Sequence, residues 1–225
     1  EITPRRGEYY VISNDEHIVN NIIFPVPTAK GKGVLAIPTV YGNTLIGPNS
    51  EELEDNITTA TSTGGARYLR ENIAKILKTV PLHKSIRTFA GLRPSSTSKD
   101  FIIGPLDDEN PNFINIASIE SPGLASAPAI ADYVIEKFIA DRFCLRENPD
   151  AAMTRDKPIV VSELAEEERE KLVRENSQYA NIVCRCETIS EGEIVSTIHE
   201  VCGARSVKGI KKRVRPGMGK CQGGF

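Results

Sequence analysis

Three cysteines carry the clearest chemistry in the sequence. Cys184 and Cys186 form a C-x-C pair, 34 residues intervene, and Cys221 follows inside the closing run R-P-G-M-G-K-C-Q-G-G-F. Thiolates two apart on an irregular backbone suit a shared metal centre, and an iron–sulfur cluster takes four cysteine ligands. Three are in the sequence, and a fourth is expected immediately after Phe225.

The surroundings suit an anionic centre. Gly217, Gly219, Gly223 and Gly224 let backbone N–H groups approach sulfur closely. Residues 201 to 225 hold seven lysines and arginines and no acid, which favours a negatively charged cluster. Cys144 and Cys202 lack ligand spacing and are expected to be small buried hydrophobes. With three thiolates the site could hold a 2Fe–2S cluster weakly, zinc in its place, or nothing.

A rival reading uses the same stretch. Ser190 and Glu193 form a capping box opening a helix with Ile194, Val195, Ile198 and Val201 on one side, closed by Gly203. Ser206 caps a second helix, basic, with Val207, Ile210 and Val214 inward. Helix, turn and basic helix also describe a DNA reader, but that reading leaves C-x-C and G-M-G-K-C unexplained, so nucleic acid is not the expected partner.

Two further features could do chemistry. Arg93, in G-L-R-P, offers a planar guanidinium that holds a carboxylate or phosphate by parallel hydrogen bonds; otherwise it is a surface ion pair. Gly123, Leu124, Ala125 and Ser126 follow Pro122 at the start of a helix, whose first N–H groups are unpaired and carry partial positive charge. His17, His83 and His199 lack metal spacing and are expected to be structural. Asp107, Asp108 and Glu109 read as a solvated turn.

The elements that position these residues follow from periodicity. Short β-branched runs at Tyr9–Ser13, Ile22–Val26, Val34–Pro38 and Asn43–Gly47 predict antiparallel strands, and Gly31 to Gly33 a hairpin turn. Ala66, Leu69, Ile73, Ile76, Leu77 and Val80 recur at helical spacing. Ile86–Leu92, Phe101–Gly104 and Phe113–Ser118 predict strands. Pro122 to Phe143 predicts a long helix burying Leu124, Ala127, Ala131, Val134, Ile135, Phe138 and Ile139. Pro128 falls early in it, where unpaired N–H groups tolerate proline. Glu163–Glu175 is a charged helix. The expected class is α+β: mostly antiparallel sheet with packed helices over 1–147, a linker with the charged helix over 148–180, and a small all-α cluster-binding domain over 181–225.

The cysteine stretch resembles the bacterioferritin-associated-ferredoxin type of 2Fe–2S domain, which runs C-x-C, about thirty residues, then C-x4-C. Cys184, Cys186 and Cys221 match its first three ligands. Three islands carry a second resemblance: G-N-T-L-I-G-P at 42–48, F-A-G-L-R-P-S-S-T-S-K-D-F-I-I-G-P at 89–105, and S-P-G-L-A-S-A-P-A-I-A at 121–131. In this order they resemble the C-terminal half of anaerobic-type FAD-dependent glycerol-3-phosphate dehydrogenases, within the D-amino-acid-oxidase-like flavoenzyme superfamily. The resemblance implies FAD and a 2Fe–2S cluster as cofactors. It also implies a small anionic substrate held by Arg93, residues 123–126 near the flavin pyrimidine edge, and an electron-acceptor protein or subunit, in the cytoplasm or at the inner face of the membrane. It leaves open a 2-hydroxy acid or an amino acid as substrate, and a non-catalytic electron-transfer module.

The superfamily's G-x-G-x-x-G fingerprint is not in the sequence, so this stretch alone is expected to bind no flavin and to be inactive. The chain begins Glu-Ile-Thr-Pro and ends before the expected ligand, as a piece of a longer polypeptide would. With 40% hydrophobic and 26% charged residues, and no run of about 20 apolar residues, the composition predicts a soluble protein and excludes a helical membrane span. Five cysteines without a paired framework suggest a reducing cytoplasm.

Overall fold

The computed structural model describes residues 1–27, 33–54, 57–140 and 142–224. The turn expected at Gly31 and Lys32 lies outside them. The chain forms two compact units, Glu1–Pro149 and Asp150–Phe225.

In the first unit β1 (Ile2–Ile12) is the spine. β2 (Leu35–Pro38) pairs with β3 (Thr44–Gly47), and β3 pairs with the end of β1. The two-residue β4 (Glu51–Glu52) pairs with Arg5 and Arg6 on the same edge. β5 (Ser85–Ser96) covers the other edge along its length, and all these pairings are antiparallel. Between them α1 (Thr63–Ile73) lays Leu69 and Ile73 on a core of Ile12, Val19, Val34, Ala36 and Ile46. β6 (Ile102–Pro105) and β7 (Ile114–Ala117) form a separate ladder. α2 (Gly123–Val134) follows and runs into a π-turn at Ile135–Ile139.

Several expectations shift. β1 starts seven positions before the expected Tyr9, because the polar run Arg5-Arg6-Gly7-Glu8 satisfies its charges within the sheet. Ile22–Val26 reduces to a single bridge, Ile23 with Ala36, and Phe24 is exposed. α1 stops at Ile73, although Ile76, Leu77 and Val80 still pack on the core from the turns beyond. In α2 only Gly123 and Val134 are buried, and Leu124, expected inside, is 95% exposed. Pro128 lies beyond the first turn, since Ser126 N–H already donates to Pro122 O. It therefore removes a hydrogen bond within the helix rather than filling a position that lacks one.

The second unit opens with a 3-10 turn at Val161–Glu163 and α3 (Glu166–Glu175). A 3-10 turn at Ser177–Ala180 leads into the short ladder β8 (Ile182–Cys184) with β9 (Ile189–Ser190). α4 (Glu191–His199) and α5 (Val207–Val214) complete it. The capping box forms as expected: Glu193 N–H donates to Ser190 Oγ at 3.3 Å, and Ser190 N–H to Glu193 Oε2 at 2.8 Å. Burial within α4 falls on Gly192, Glu193 and Thr197, whereas Ile198 and Val201 are exposed. The helix ends at His199, so Val201 lies past its inner face. Val207 at the start of α5 is exposed too. Gly203 sits where a Cβ would stand 2.1 Å from Ile198 O, so the chain can cross the end of α4 only without a side chain there. No helix among the described residues is long and apolar enough to cross a membrane.

Candidate functional site

The cysteine loops come together. The C-x-C pair leaves β8, and Cys221 follows α5 through a turn in which Arg215 takes a left-handed conformation (φ 66°) and Gly217 another (φ 70°). Cys184 and Cys186 sulfurs stand 3.9 Å apart, and Cys186 and Cys221 sulfurs 3.5 Å. Sulfurs sharing a tetrahedral metal at about 2.3 Å would stand about 3.75 Å apart, so both separations suit shared coordination. Cys186 is the middle of the row, and among the described residues no three His, Cys, Asp or Glu side chains close a cage on a single ion.

Backbone donors reach the sulfurs from the glycine-rich loop. Gly217 N–H donates to Cys184 Sγ at 3.3 Å, and Gly223 N–H to Cys221 Sγ at 3.4 Å. This donation from Gly223, with the Cys186 sulfur adding to it, holds the Cys221 thiol below its ordinary value. Cys186 is exposed as a residue, yet its sulfur is packed against its neighbours, and burial pushes its thiol up, with Cys221 and Cys184 contributing. A Cβ at Gly219 would stand 2.6 Å from Cys186 Sγ and 2.8 Å from Glu187 Oε1. Arg215 Nε donates to Glu187 Oε2 at 2.9 Å, tying the two cysteine loops together. The residues present thus fit three of the four ligands a 2Fe–2S cluster takes.

Cys144 and Cys202 are exposed, not buried as expected. Of the cations around α5, Arg213 donates to Cys202 O at 2.7 Å and Arg215 pairs with Glu187, so both have partners within the chain.

In the first unit Arg93 lies half-buried on β5 beside a hollow of about 420 Å³ that Arg5, Tyr9, Asn49, Glu120 and Ser121 also line. Its guanidinium leans over Gly7, where a Cβ would stand 2.7 Å from Nη2. Arg93 forms no ion pair among the described residues. Gly123 is buried against Ile119, whose Cγ2 would lie 2.4 Å from an added Cβ. Its N–H donates to Glu120 O, leaving Leu124 and Ala125 N–H without backbone partners among the described residues. The smallness of Gly123 therefore already serves packing within the chain.

A buried ionic cluster on the other face of β1 had no sequence signal beyond R-R-G-E. Glu8, 2% exposed, accepts from Ser62 N–H and Ser62 Oγ, both at 2.9 Å, at the N-terminus of α1. Arg6 lies 3.4 Å from the same carboxylate and pairs with Glu51 at 2.7 Å. Gly65 is required here, because a Cβ would fall 2.3 Å from Glu8 Oε1. The cluster clamps α1 to β1.

Two family models match the chain. Residues 1–137 match the FAD dependent oxidoreductase family, and residues 182–223 match the BFD-like 2Fe-2S binding domain. A glycerol 3-phosphate dehydrogenase of Caloramator mitchellensis is 47% identical over 228 residues, covering 100% of this chain and 47% of that protein. A glycerol 3-phosphate oxidase of Mycoplasma genitalium is 38% identical over 137 residues, 60% of this chain and 35% of that protein. Among solved structures, dithionite-reduced L-alpha-glycerophosphate oxidase from Mycoplasma pneumoniae with FAD bound superposes with a TM-score of 0.60. It is 31% identical and covers 67% of this chain and 39% of that one. The chain thus spans about half the length, or less, of the curated relatives it matches.

Proposed function

The chain belongs to the FAD-dependent oxidoreductase family, and on that premise we propose that it forms the substrate-side half of an enzyme oxidising glycerol 3-phosphate to dihydroxyacetone phosphate. The observation that carries this reading is Arg93, a half-buried guanidinium without an ion pair among the described residues, facing a hollow large enough for a small organic phosphate. The whole-length similarity to a glycerol 3-phosphate dehydrogenase supports the same substrate.

FAD, when bound, supplies the hydride-accepting chemistry. The chain's own residues bind and orient. Arg93 holds an anionic oxygen of the substrate by its planar fork, which keeps the carbinol carbon in place. The first turn of α2, at Gly123 to Ser126, would present partial positive charge to the flavin pyrimidine edge. Ser121 supplies a neutral polar contact along the hollow, whereas the Asn49 amide is held by Glu8, accepting from its N–H at 2.7 Å.

The second unit would relay electrons. Cys184, Cys186 and Cys221 would ligate a 2Fe–2S cluster, with Gly217 and Gly223 N–H groups offsetting its negative charge. The acceptor is then a protein or subunit, in the cytoplasm or at the inner membrane face. A 2-hydroxy acid or amino acid as substrate is the second reading, because a guanidinium holds carboxylate as well as phosphate.

The test is steady-state kinetics of the flavin-loaded enzyme with glycerol 3-phosphate and an artificial acceptor. Arg93→Gln is expected to lower kcat/KM by about a hundredfold, in line with a charge-assisted bidentate contact. Unchanged kcat/KM with full flavin content, or faster turnover of 2-hydroxy acids than of glycerol 3-phosphate, would overturn the assignment.

A further inference from the structure

β1 and β5 place a short ladder of facing residues on the side of the sheet opposite Glu8. Arg5 stands directly across from Arg93, Gly7 from Gly91, and Tyr9 from Phe89. The Tyr9 and Phe89 rings stack at 5.0 Å and 9°. The glycine pair leaves room between this aromatic pair and the two arginines: the Arg93 guanidinium lies over Gly7, and nothing lies within 4 Å of where a Gly91 Cβ would be. Arg5, Tyr9 and Arg93 all line the same hollow.

Like charges directly opposite on neighbouring strands repel, so this pairing has to be offset by something. Arg5 has one carboxylate partner, Glu52 at 2.9 Å, but that pair lies largely in water, where it contributes little. Arg93 has none among the described residues. Glu120 also lines the hollow, yet it accepts from Ser95 Oγ at 3.0 Å and forms no ion pair with either arginine. Two guanidiniums, one paired with Glu52 at the surface and one without an ion pair among the described residues, line one hollow whose other walls are largely apolar, Phe24, Leu35, Ile37 and Pro48 among them.

We propose that Arg5 is a second anion-binding residue of the substrate site, and that the Arg5–Arg93 pair selects a phosphate dianion over a monocarboxylate. This rests on the reading of Arg93 given above and adds to it. A phosphate monoester carries a charge of about −1.5 to −2 at neutral pH, with a second pKa near 6, and has three acceptor oxygens. One fork satisfies a carboxylate, whereas a dianion gains from both. Glu52 keeps Arg5 extended in the free protein and gives it up to the stronger partner.

The probe is inorganic phosphate, titrated into the flavin-loaded holoenzyme and followed by the flavin absorption spectrum, with lactate as the monocarboxylate control. Arg5→Gln is expected to weaken phosphate binding by at least about tenfold and lactate binding by less than about threefold. The rise in phosphate affinity from about pH 5 to about pH 8, which follows dianion formation, should flatten in the same variant. Glu52→Gln, at an exposed position, is expected to tighten phosphate binding. Equal phosphate affinity and an unchanged pH profile in Arg5→Gln, with Arg93→Gln still abolishing binding, would overturn the role of Arg5 and leave that of Arg93 intact. Loss in neither variant would overturn both. Should Arg5→Gln fail to fold, Arg5→Lys and Glu52→Gln decide it: affinity unchanged in both overturns the proposal.

Discussion

Cys186 and Cys221 lie 35 positions apart in the chain and bring their sulfurs to 3.5 Å. Two short loops, one leaving β8 and one following α5, achieve this, and Cys184 joins at 3.9 Å from Cys186. Anaerobic reconstitution with iron and sulfide should therefore give visible absorption that depends on all three. Cys184→Ser, Cys186→Ser and Cys221→Ser are each expected to lose bound iron, whereas Cys144→Ser and Cys202→Ser, at exposed positions outside the row, keep it. Iron per chain is the measurement. Retention in Cys221→Ser would remove the third ligand from the site.

Gly219 faces the same sulfur. A Cβ there would stand 2.6 Å from Cys186 Sγ, inside any real contact, and 2.8 Å from the Glu187 carboxylate. Gly219→Ala must displace the sulfur, disturb the Glu187–Arg215 pair, or both. The expected result is a folded chain, judged by circular dichroism, whose cluster affinity falls by about ten- to hundredfold, as loss of supporting contacts at metal sites does. Gly224→Ala is the control, since its nearest neighbour, Cys221 O, lies at 3.1 Å and can give slightly.

The cysteine row was legible because spacing and glycine content are local signals, as was the capping box of Ser190 and Glu193. Arg93 stood out for its chemistry, but its strand partner Arg5 did not, because cross-strand register is a property of folding and not of one segment. The sequence hid the first half of β1 for a related reason. Arg6 and Glu8 read as surface charges, yet they are buried by pairing with Glu51 and capping α1. The α2 apolar face failed in the opposite sense: its periodicity is genuine, but within the described residues nothing covers Leu124, Ala127 or Ala131. Periodicity shows which face is able to be buried, and the partner decides whether it is.

Glu8 gives a stability prediction. Its carboxylate satisfies Ser62 twice and neutralises Arg6 at 3.4 Å while only 2% exposed. Glu8→Ala takes one of two carboxylates from buried Arg6, which keeps Glu51 at 2.7 Å, and leaves Ser62 at the α1 cap without its acceptor. Leaving buried donors unsatisfied costs about 1–3 kcal/mol, a large fraction of the stability of a domain of this size. Urea unfolding followed by circular dichroism should show the first unit strongly destabilised. A midpoint within about 0.5 kcal/mol of wild type would mean that the cluster is solvated and does not clamp α1.

Tyr179 ties pH to the second unit. Its ring is buried against Gly192, where a Cβ would stand 2.7 Å from it. Burial raises the phenol above its usual value near 10, and the charge of Glu193 raises it further. The folded unit thus holds the phenol proton more tightly than the unfolded chain does. Below about pH 10 both states keep that proton and this contribution to stability is fully present. As pH rises through the folded value the phenolate forms in a site that disfavours it, and the contribution is lost. Stability of the second unit should accordingly fall above about pH 10 more steeply in wild type than in Tyr179→Phe, which has no proton to lose. Of the six tyrosines in the chain this is the one in the second unit, so tyrosinate absorbance should lose its most alkaline component in the same variant. Equal slopes, together with a lost tyrosinate component centred near pH 10 rather than above it, would show that the phenol reaches water and that Gly192 does not bury it.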